Sequence, residues 1–309
     1  MSLKDRVAII IVTYNGEKWL SKCLKPLYGL ENLKIVVVDN FSTDNTVNNI
    51  KKNYPNVELI LSPINLGFGQ ANNKGFEYAI ANNYDYVFLL NQDASIDIDS
   101  LVVLIDDYKN DLEIGILSPV HFKSKDEVEN LFQFYLKDSN ISNNEVGSNI
   151  IKDLKFVNAA LWLISVKNLK KIGGFNPLFF HYGEDVDFVN RVKFKKLYVK
   201  ANLSVKGFHY RNYTKESFKK NFDKSRYFGP WSIKYYTILT NVNNSEFQVF
   251  FEAFKLFFKN YLKYLSKGYF SSSFMCVKVY FNVLKQTLNV LENRKRIKFE
   301  RSPFLTNSK

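Results

Sequence analysis

Val7-Ala-Ile-Ile-Ile-Val-Thr-Tyr-Asn-Gly16 begins with an unbroken run of apolar, mostly β-branched residues and ends in polar ones. A run of this kind is typical of a parallel strand that is buried on both faces of a sheet. The polar residues that follow are common in turns, which places a loop directly at the carboxyl end of the strand. The segment therefore predicts the first strand of a buried, mostly parallel sheet.

Strand-like and helix-like segments alternate downstream of this strand. Further strands are predicted at residues 34–39, 57–61 and 86–90, and helices at residues 17–30, 45–52 and 70–82. Such alternation produces βαβ units, so we expect an α/β fold with helices flanking the sheet. Residues 118–157 are polar and weakly patterned, and we expect a loop-rich insertion there.

The composition is that of a globular protein, with 309 residues, 46% hydrophobic side chains and a mean hydropathy of −0.21. No segment approaches the roughly 18 consecutive apolar residues of a membrane span. Residues 1–6 lead straight into the first strand without a small-residue cleavage site, so we expect no secretory signal. Cys23 and Cys276 form no disulfide framework, which favours a reducing cytoplasm.

The net charge of +13 is confined to the C-terminal part of the chain. Residues 1–209 contain 24 basic and 24 acidic side chains, whereas residues 210–309 contain 19 and 6. This break predicts two domains, a neutral one at residues 1–212 and a basic helical one at residues 213–309. A basic region of this kind indicates an anionic partner.

Two amphipathic helices are predicted in the basic region. The first carries lysines on the face opposite its apolar residues. Its apolar positions are Phe250, Phe251, Phe254, Phe257, Phe258, Tyr261, Leu262 and Leu265, and its lysines are Lys255, Lys259, Lys263 and Lys267. The second covers residues 274–291 and leads into a basic cluster at residues 294–298.

Three partners fit these helices: an anionic membrane surface, the neutral domain of the same chain, and a second copy in a homo-oligomer. We expect packing within the chain to take the larger share of the apolar face. The lysine stripe and the basic cluster favour a membrane surface nearby. Nucleic acid is not expected, because the charge is segregated from the aromatic faces and no reading motif is present.

Polar side chains follow each predicted strand of the neutral domain where the strand ends. In open α/β sheets, ligands bind at the carboxyl ends of the strands, so these residues are expected to meet in one site. They are Thr13, Tyr14 and Asn15, then Asp39, Asn40 and Ser42, then Asn65, Gly67 and Phe68, and finally Asn91, Gln92 and Asp93. The chain has no GxGxxG, GxxxxGK[ST] or HExxH pattern, which disfavours dinucleotide enzymes, P-loop ATPases and zinc hydrolases.

Gly183-Glu-Asp-Val-Asp187 places three carboxylates within four residues, directly after an aromatic segment. Carboxylates this close are costly unless they bind a cation or manage a proton. An acidic helix N-terminus is the alternative, because carboxylates favour the positive end of the helix dipole. Both interpretations stay open on this segment alone.

Six motifs in this order and spacing resemble the family 2 inverting glycosyltransferases, and within them the rhamnosyltransferase-like branch that builds bacterial surface polysaccharides. The motifs are Ile-Val-Thr-Tyr-Asn (11–15), Val-Val-Asp-Asn-Phe-Ser-Thr-Asp (37–44), Asn-Leu-Gly-Phe-Gly (65–69) with Ala71, Asn72 and Gly75, Leu-Leu-Asn-Gln-Asp (89–93), Gly-Gly-Phe (173–175) with Gly-Glu-Asp-Val-Asp (183–187), and His209. The resemblance covers residues 7–212. It implies a GT-A fold, in which a Rossmann-like nucleotide-binding sheet is merged with an acceptor-binding half, followed here by a C-terminal α-helical extension.

The resemblance implies catalytic and metal-binding roles. Asp185 would be the general base that removes the proton of the acceptor hydroxyl, with Glu184 as the alternative base or an acceptor ligand. Asp93 and His209 would bind Mg²⁺ or Mn²⁺, which stabilises the departing nucleoside diphosphate. A packing role is the alternative for His209.

The resemblance also implies where the substrates bind. The nucleotide sugar would lie on the twelve strand-end residues together with Asn72, and Asp39 would accept a hydrogen bond from a pyrimidine N3–H. Asn158, Ala159 and Trp162 fall where the family lines the acceptor pocket. A tryptophan at such a position is more often part of the core.

Two departures from the family pattern modify these expectations. Asn91 stands where the family usually has the first Asp of its metal motif, so the cation site has one charge fewer. No Gln-x-x-Arg-Trp motif follows the Glu-Asp pair, since Arg226 and Trp231 have a different spacing. This disfavours processive polymer synthesis and favours the addition of one or a few sugars.

We therefore expect an inverting glycosyltransferase that moves one sugar from a nucleoside-diphosphate sugar, with dTDP-L-rhamnose preferred, to a glycan or polyprenyl-diphosphate-linked acceptor. It would act in the cytoplasm, peripherally on the inner face of the cytoplasmic membrane. A UDP-hexose, galactofuranose or GlcNAc-type transferase of the same family is one alternative. A non-catalytic protein that binds polyanions or nucleotide sugars is the other.

Overall fold

A computed structural model of the chain describes residues 5–210 and 230–305. Its strands within these residues are β1 (Val7–Thr13), β2 (Leu33–Asp39), β3 (Glu58–Leu61), β4 (Tyr86–Leu90), β5 (Ala94–Ser95), β6 (Ile114–Ser124), β7 (Glu127–Val128), β8 (Ile151–Asp153), β9 (Leu161–Ser165) and β10 (Tyr198–His209). The helices are α1 (Leu20–Leu24), α2 (Thr46–Asn53), α3 (Phe68–Ala81), α4 (Ile98–Asn110), α5 (Asn130–Asp138), α6 (Val166–Ile172), α7 (Glu184–Phe194), α8 (Pro230–Leu239), α9 (Glu246–Leu265), α10 (Phe270–Lys285) and α11 (Thr287–Phe299).

The strands form one mixed sheet in the order β3-β2-β1-β4-β9-β6-β10-β5, with β7 beside β6 and β8 beside β10. β1 runs parallel to β2 and β4, and β2 runs parallel to β3. The register pairs Thr13 with Asp39, so the two strands end side by side. This confirms the predicted α/β sheet with flanking helices and brings the first polar strand ends to one edge.

The sheet is buried on both faces. Ala8 and Ile10 of β1 pack in one apolar cluster with Phe76 of α3, whereas Ile9 and Ile11 pack in the other with Leu104 of α4. Alternate side chains of a strand point to opposite faces, so an unbroken apolar run is what a doubly covered strand requires. The first strand prediction is thereby confirmed.

Two local predictions are wrong. Residues 118–157 are not a loop-rich insertion, because they contain most of β6 and all of α5, whose Phe132, Tyr135 and Leu136 are buried. Residues 17–30 do not form one helix either: 3₁₀ turns at Glu17–Trp19 and Lys25–Leu27 flank the short α1. Pro26 explains the second break, because proline has no N–H to continue an α-helix.

The predicted C-terminal helices are present and pack against the sheet domain. Asn293 of α11 donates to Oδ1 of Asn176 at 3.0 Å, and Lys195 after α7 donates to the carbonyl of Ile297 at 3.0 Å. The second predicted helix is divided at Gln286, which ends α10 and precedes α11. Within residues 5–210 and 230–305, none of the helices combines the length and apolar character that crossing a bilayer requires. The predicted boundary at 212/213 lies outside the described residues.

The predicted basic cluster at residues 294–298 is not wholly on the surface. Arg294 is fully buried and donates to the carbonyls of Leu239, Asn241 and Asn244. These carbonyls lie at the end of α8 and in the turn before α9. Arg294 therefore ties three C-terminal helices together, and it is unavailable to a membrane.

Candidate active site

The ends of β1 and β2 are joined through the carboxylate of Asp39. Its Oδ1 accepts the hydroxyls of Thr13 at 2.9 Å and Ser42 at 2.6 Å, and its Oδ2 accepts the backbone N–H of Ser42 at 2.9 Å. Asp39 is only 3% exposed. These bonds fix the orientation of the carboxylate at the sheet edge, where it was predicted to meet a nucleobase.

The loop after β1 is joined to the loop after β4. The backbone N–H of Tyr14 donates to Oε1 of Gln92 at 3.0 Å, and Nε2 of Gln92 donates back to the carbonyl of Tyr14 at 3.3 Å. Asn15 has a left-handed backbone (φ 48°) and its Oδ1 accepts the N–H of Thr43 at 2.8 Å. Three strand ends are thus held in a fixed relation, with the Tyr14 side chain half exposed beside them.

The Asn65-Leu-Gly-Phe-Gly69 loop is held from both sides. Asn40 donates to Oδ1 of Asn65 at 3.0 Å and accepts the N–H of Leu66 at 2.7 Å. On the far side, the N–H of Phe68 donates to the carbonyl of Phe180 at 3.2 Å. The contact is so close at Gly67 (φ 78°) that a Cβ there would lie 2.0 Å from that carbonyl oxygen. Only glycine fits this conformation and this space.

The predicted base lies at the N-terminus of α7, next to this loop. Tyr182 (φ 68°) and Gly183 (φ 90°) take left-handed conformations, and α7 begins immediately after them with Glu184 and Asp185. A Cβ placed on Gly69 would lie 3.6 Å from Cβ of Glu184, so the two helix N-termini are adjacent. Glu184 is buried, whereas Asp185 is partly exposed and better placed to meet an acceptor.

The third acid of this motif has a structural role. Asp187 is 1% exposed and accepts from Nε of the fully buried Arg191 at 2.9 Å and from Asn176 at 3.3 Å. Burial lowers the pKa of Arg191, and the charge of Asp187 opposes this effect. The motif therefore consists of the partly exposed Asp185, the buried Glu184 beside Gly69, and the buried Asp187 that pairs with Arg191.

Asp93 and His209 lie together, as predicted for a metal site. Oδ1 of Asp93 is 3.6 Å from Nε2 of His209, and the Asp93 side chain is 21% exposed. On the other side of the ring, Nδ1 of His209 is 3.3 Å from Oε2 of Glu129. The same oxygen is 3.6 Å from Nδ1 of His121, whose Nε2 pairs with the hydroxyl of Ser118. The imidazole of His209 is thus held between two carboxylates.

Burial and charge act in opposite directions on this cluster. Burial disfavours a charged imidazole, but the two neighbouring carboxylates, Asp93 and Glu129, outweigh it and raise the pKa of His209 to about 9. Burial likewise disfavours the Glu129 carboxylate, but hydrogen bonds from His121 and His209 lower its pKa to about 2. His121 has a lowered pKa because burial dominates. In the metal-free cluster, His209 is a cation that both carboxylates stabilise.

The donor set of this cluster fits a divalent cation. Nε2 of His209 is buried and has no hydrogen-bond partner among the described residues, and a carboxylate oxygen stands in front of it. Metal-bound histidines usually donate their other N–H to a carboxylate, as Nδ1 does here toward Glu129. His121, Glu129 and His209 also have ligand atoms within 4.8 Å of one another, so His209 belongs to two overlapping ligand sets.

Asn72 and the three predicted acceptor residues are buried as well. Asn72 is 1% exposed and donates to the carbonyl of Phe68 at 2.9 Å, within α3. Asn158 and Ala159 are 8% and 7% exposed. Trp162 is fully buried and stacks on Phe175 at 6.2 Å, so it has no face for a sugar and is a core residue.

Sequence reasoning missed His121 and Glu129. Both lie in the segment interpreted as an insertion, and neither belongs to a motif that was recognised. The available signal was that His121 is one of only three histidines in the chain and stands between the apolar Val120 and Phe122. Glu129 offers no such signal, because its role exists only once β6 and β10 pair and bring His209 beside it.

Comparison with known proteins assigns the family. The family described as Glycosyl transferase family 2 matches residues 8–173. The SPbeta prophage-derived glycosyltransferase SunS of Bacillus subtilis is 35% identical over 83 residues, which are 27% of this chain and 19% of that protein. The poly-beta-1,6-N-acetyl-D-glucosamine synthase of Staphylococcus aureus is 28% identical over 118 residues, 37% of this chain and 28% of that protein. The matched segments therefore cover less than a third of these relatives.

Solved structures resemble the chain over nearly its whole length. S. aureus TarS 1-349 in complex with UDP-GlcNAc aligns with a TM-score of 0.54 and 15% identity, over 94% of this chain and 81% of that one. The mannosyltransferase PcManGT from Pyrobaculum calidifontis, in complex with GDP-Man and Mn²⁺, aligns with a TM-score of 0.53 and 15% identity, over 93% and 88%. At this identity the likeness concerns the fold, which is GT-A as the sequence implied. Because the family match spans more than half of its residues, the chain belongs to glycosyl transferase family 2.

Proposed function

We propose that this glycosyltransferase transfers a single sugar from a nucleoside-diphosphate sugar to a hydroxyl of a glycan or lipid-linked acceptor, with inversion at the anomeric carbon. The observation that carries the proposal is the Asp93–His209 pair beside the interlocked ends of β1, β2 and β4. The pair would hold a cation that meets the diphosphate, and Asp39 and the Tyr14 loop would receive the nucleoside.

The proposal assigns a role to each of the metal-binding and catalytic residues. Asp93 and His209 would hold Mg²⁺ or Mn²⁺, which would supply positive charge to stabilise the leaving diphosphate. Asp185 removes the proton of the acceptor hydroxyl as that oxygen attacks the anomeric carbon from the face opposite the phosphate. Glu184, which is buried beside Gly69 at the start of α3, is the alternative base or a ligand of the acceptor.

The proposal also names a donor. dTDP-L-rhamnose is the candidate from the branch resemblance, and a UDP-hexose is the alternative. The structural neighbours support a nucleotide-sugar donor in general, since TarS is complexed with UDP-GlcNAc and PcManGT with GDP-Man.

A thermal-shift and hydrolysis screen tests the proposal. The purified protein is incubated with dTDP-rhamnose, UDP-glucose, UDP-GlcNAc or GDP-mannose, each with Mg²⁺, Mn²⁺ or EDTA. We expect one donor to raise the unfolding temperature and to release its nucleotide slowly, with both effects reduced by EDTA. Stabilisation without any release would support a non-catalytic nucleotide-sugar-binding protein, and no response to any donor would contradict the proposal.

A further inference from the structure

The outward face of α9 carries a continuous row of exposed apolar side chains. At 100° per residue these side chains fall within an arc of about 80° on the helix. The row consists of Phe247 (80% exposed), Phe251 (50%), Phe254 (48%), Phe258 (49%), Leu262 (44%) and Leu265 (38%). A contiguous apolar patch on a surface marks an interaction site, whereas single exposed apolar residues do not.

This row is not the face that packs within the chain. Val249 and Ala253 are buried on another side of α9, and Phe257 stacks on Tyr280 of α10 at 4.5 Å. From the sequence pattern, all the aromatic residues of this helix are predicted to lie on one face. The structure divides them into an inner set that joins α9 to α10 and an outer set that has no cover from the described residues.

The outer row continues onto α10. Phe254 contacts the ring of Tyr280 at 6.4 Å, and Tyr280 contacts Phe281, which is 58% exposed. Phe270 and Phe274 at the start of α10 are 71% and 60% exposed. The two helices thus present one apolar surface, which we call the outer aromatic face.

Lysines border this face on one side. By the same helical spacing, Lys255, Lys259 and Lys263 occupy the next about 80° of the α9 circumference. Lys255 packs over the Phe251 ring at 5.4 Å and Lys278 over the Phe274 ring at 4.7 Å. Lysines that lay their methylene chains along apolar rings and keep the ammonium group outside are typical of helices at a lipid interface.

We propose that the outer aromatic face binds the surface of an anionic lipid bilayer, with α9 and α10 lying flat in the headgroup region. Charge favours this occupant over a second copy of the chain. Two copies that met through this face would bring their lysine rows together, and like charges oppose such an interface. An anionic leaflet instead attracts each of these lysines while the phenylalanines enter the acyl boundary.

The placement also connects the membrane to the active-site side of the fold. Ile233 of α8 lies 2.9 Å from where a Cβ on Gly183 would be, and Phe179 packs edge-on against Tyr236 of α8 at 6.4 Å. α8 in turn shares an apolar cluster with α9 and α10. A bilayer under the outer aromatic face is therefore one helix layer away from the start of α7, which carries Asp185, and this suits a lipid-linked acceptor.

Vesicle co-sedimentation of the full chain tests this proposal without any donor or acceptor. The vesicles contain phosphatidylglycerol and phosphatidylethanolamine, or phosphatidylcholine alone, at two salt concentrations. We expect binding to the anionic vesicles that weakens with salt. The variant F247S/F251S/F258S and the variant K259Q/K263Q/K267Q should each lose at least about tenfold in partition coefficient.

Matched control variants show whether the loss of binding is specific to this face or follows from removing any exposed apolar or basic side chains. L112S/V103S/F134S removes three exposed apolar side chains elsewhere, and K51Q/K52Q/K137Q removes three exposed lysines elsewhere. Both should bind as the wild type does, and circular dichroism should show all variants folded. Equal binding by the F247S/F251S/F258S variant, or no preference for anionic vesicles, would overturn the proposal. A second result would also overturn it. If light scattering shows that the wild type is a dimer and that only the F247S/F251S/F258S variant is a monomer, the outer aromatic face binds a second copy of the chain.

Discussion

Glu129 holds the imidazole of His209 on the side away from Asp93, with its Oε2 3.3 Å from Nδ1 of the ring. Glu129 comes from the segment between β7 and α5, and His209 ends β10. The contact fixes the ring so that Nε2 points to the carboxylate of Asp93 at 3.6 Å. A divalent cation that replaces the proton on Nε2 would find its imidazole ligand already oriented.

Substitution of Glu129 by Gln should weaken Mn²⁺ binding by about tenfold to a hundredfold, because the carboxylate orients the ring and raises its basicity. The measurement is titration of free Mn²⁺ by electron paramagnetic resonance in the presence of UDP, which does not depend on turnover. Glu127→Gln is the control, since Glu127 is an exposed neighbour that pairs with Lys123. If Glu129→Gln and wild type bind Mn²⁺ equally, Glu129 has no role in positioning His209.

Gly67→Ala should destabilise the protein and weaken donor binding. An alanine at φ 78° is strained by about 1–3 kcal/mol, and its Cβ would also lie 2.0 Å from the carbonyl oxygen of Phe180. Gly147→Ala is the matched control, because Gly147 has a φ of 95° but nothing within 4 Å of its Cβ position. Urea denaturation should show a clearly larger loss for Gly67→Ala. Equal losses would mean that the close contact with Phe180 is not important.

Asp187→Asn should reduce the free energy of unfolding by about 3–5 kcal/mol, because it leaves the guanidinium of Arg191 buried without its anion. Arg191 is fully buried, and Asp187 is its partner at 2.9 Å. Glu300→Gln breaks a pair with the same spacing, Arg296–Glu300, on the surface, and it should cost at most about 0.5 kcal/mol. Chemical denaturation of both variants measures the difference. A small loss for Asp187→Asn would show that the buried pair contributes little.

Much of the sheet domain was predictable because its signals are local. Residues 86–90 form an apolar segment that becomes β4 with the same bounds, and residues 34–39 differ from β2 by one residue. The strand-end motifs could be placed at the site because parallel strands bring their carboxyl ends to one edge. These features need only the sequence of each segment and a general rule of topology.

The features that the sequence did not predict depend on contacts between segments that are distant in the chain. β6 contains Ser118, Pro119 and His121, which interrupt its apolar pattern, yet its residues from Ile114 to Phe122 are buried. Ser118 and His121 pair with each other at 3.0 Å, and Glu129 lies 3.6 Å from the other ring nitrogen of His121, contacts that no local pattern reveals. Arg294 is a similar case, since its sequence neighbours suggest a surface cluster and only the fold supplies the three carbonyls that bury it.

Asp185→Asn is the most direct test of the proposed reaction. The measurement is the rate of nucleotide release from the best donor, with acceptor present, together with the affinity for the nucleotide diphosphate. We expect the rate to fall by about 10²–10⁴-fold with little change in affinity, because a general base acts on the acceptor proton and not on the donor. Asp99→Asn is the control, since Asp99 is an exposed acid in the first turn of α4, and it should retain the wild-type rate and affinity. Near-normal turnover by Asp185→Asn would contradict the assignment of the base and, with it, the proposed mechanism.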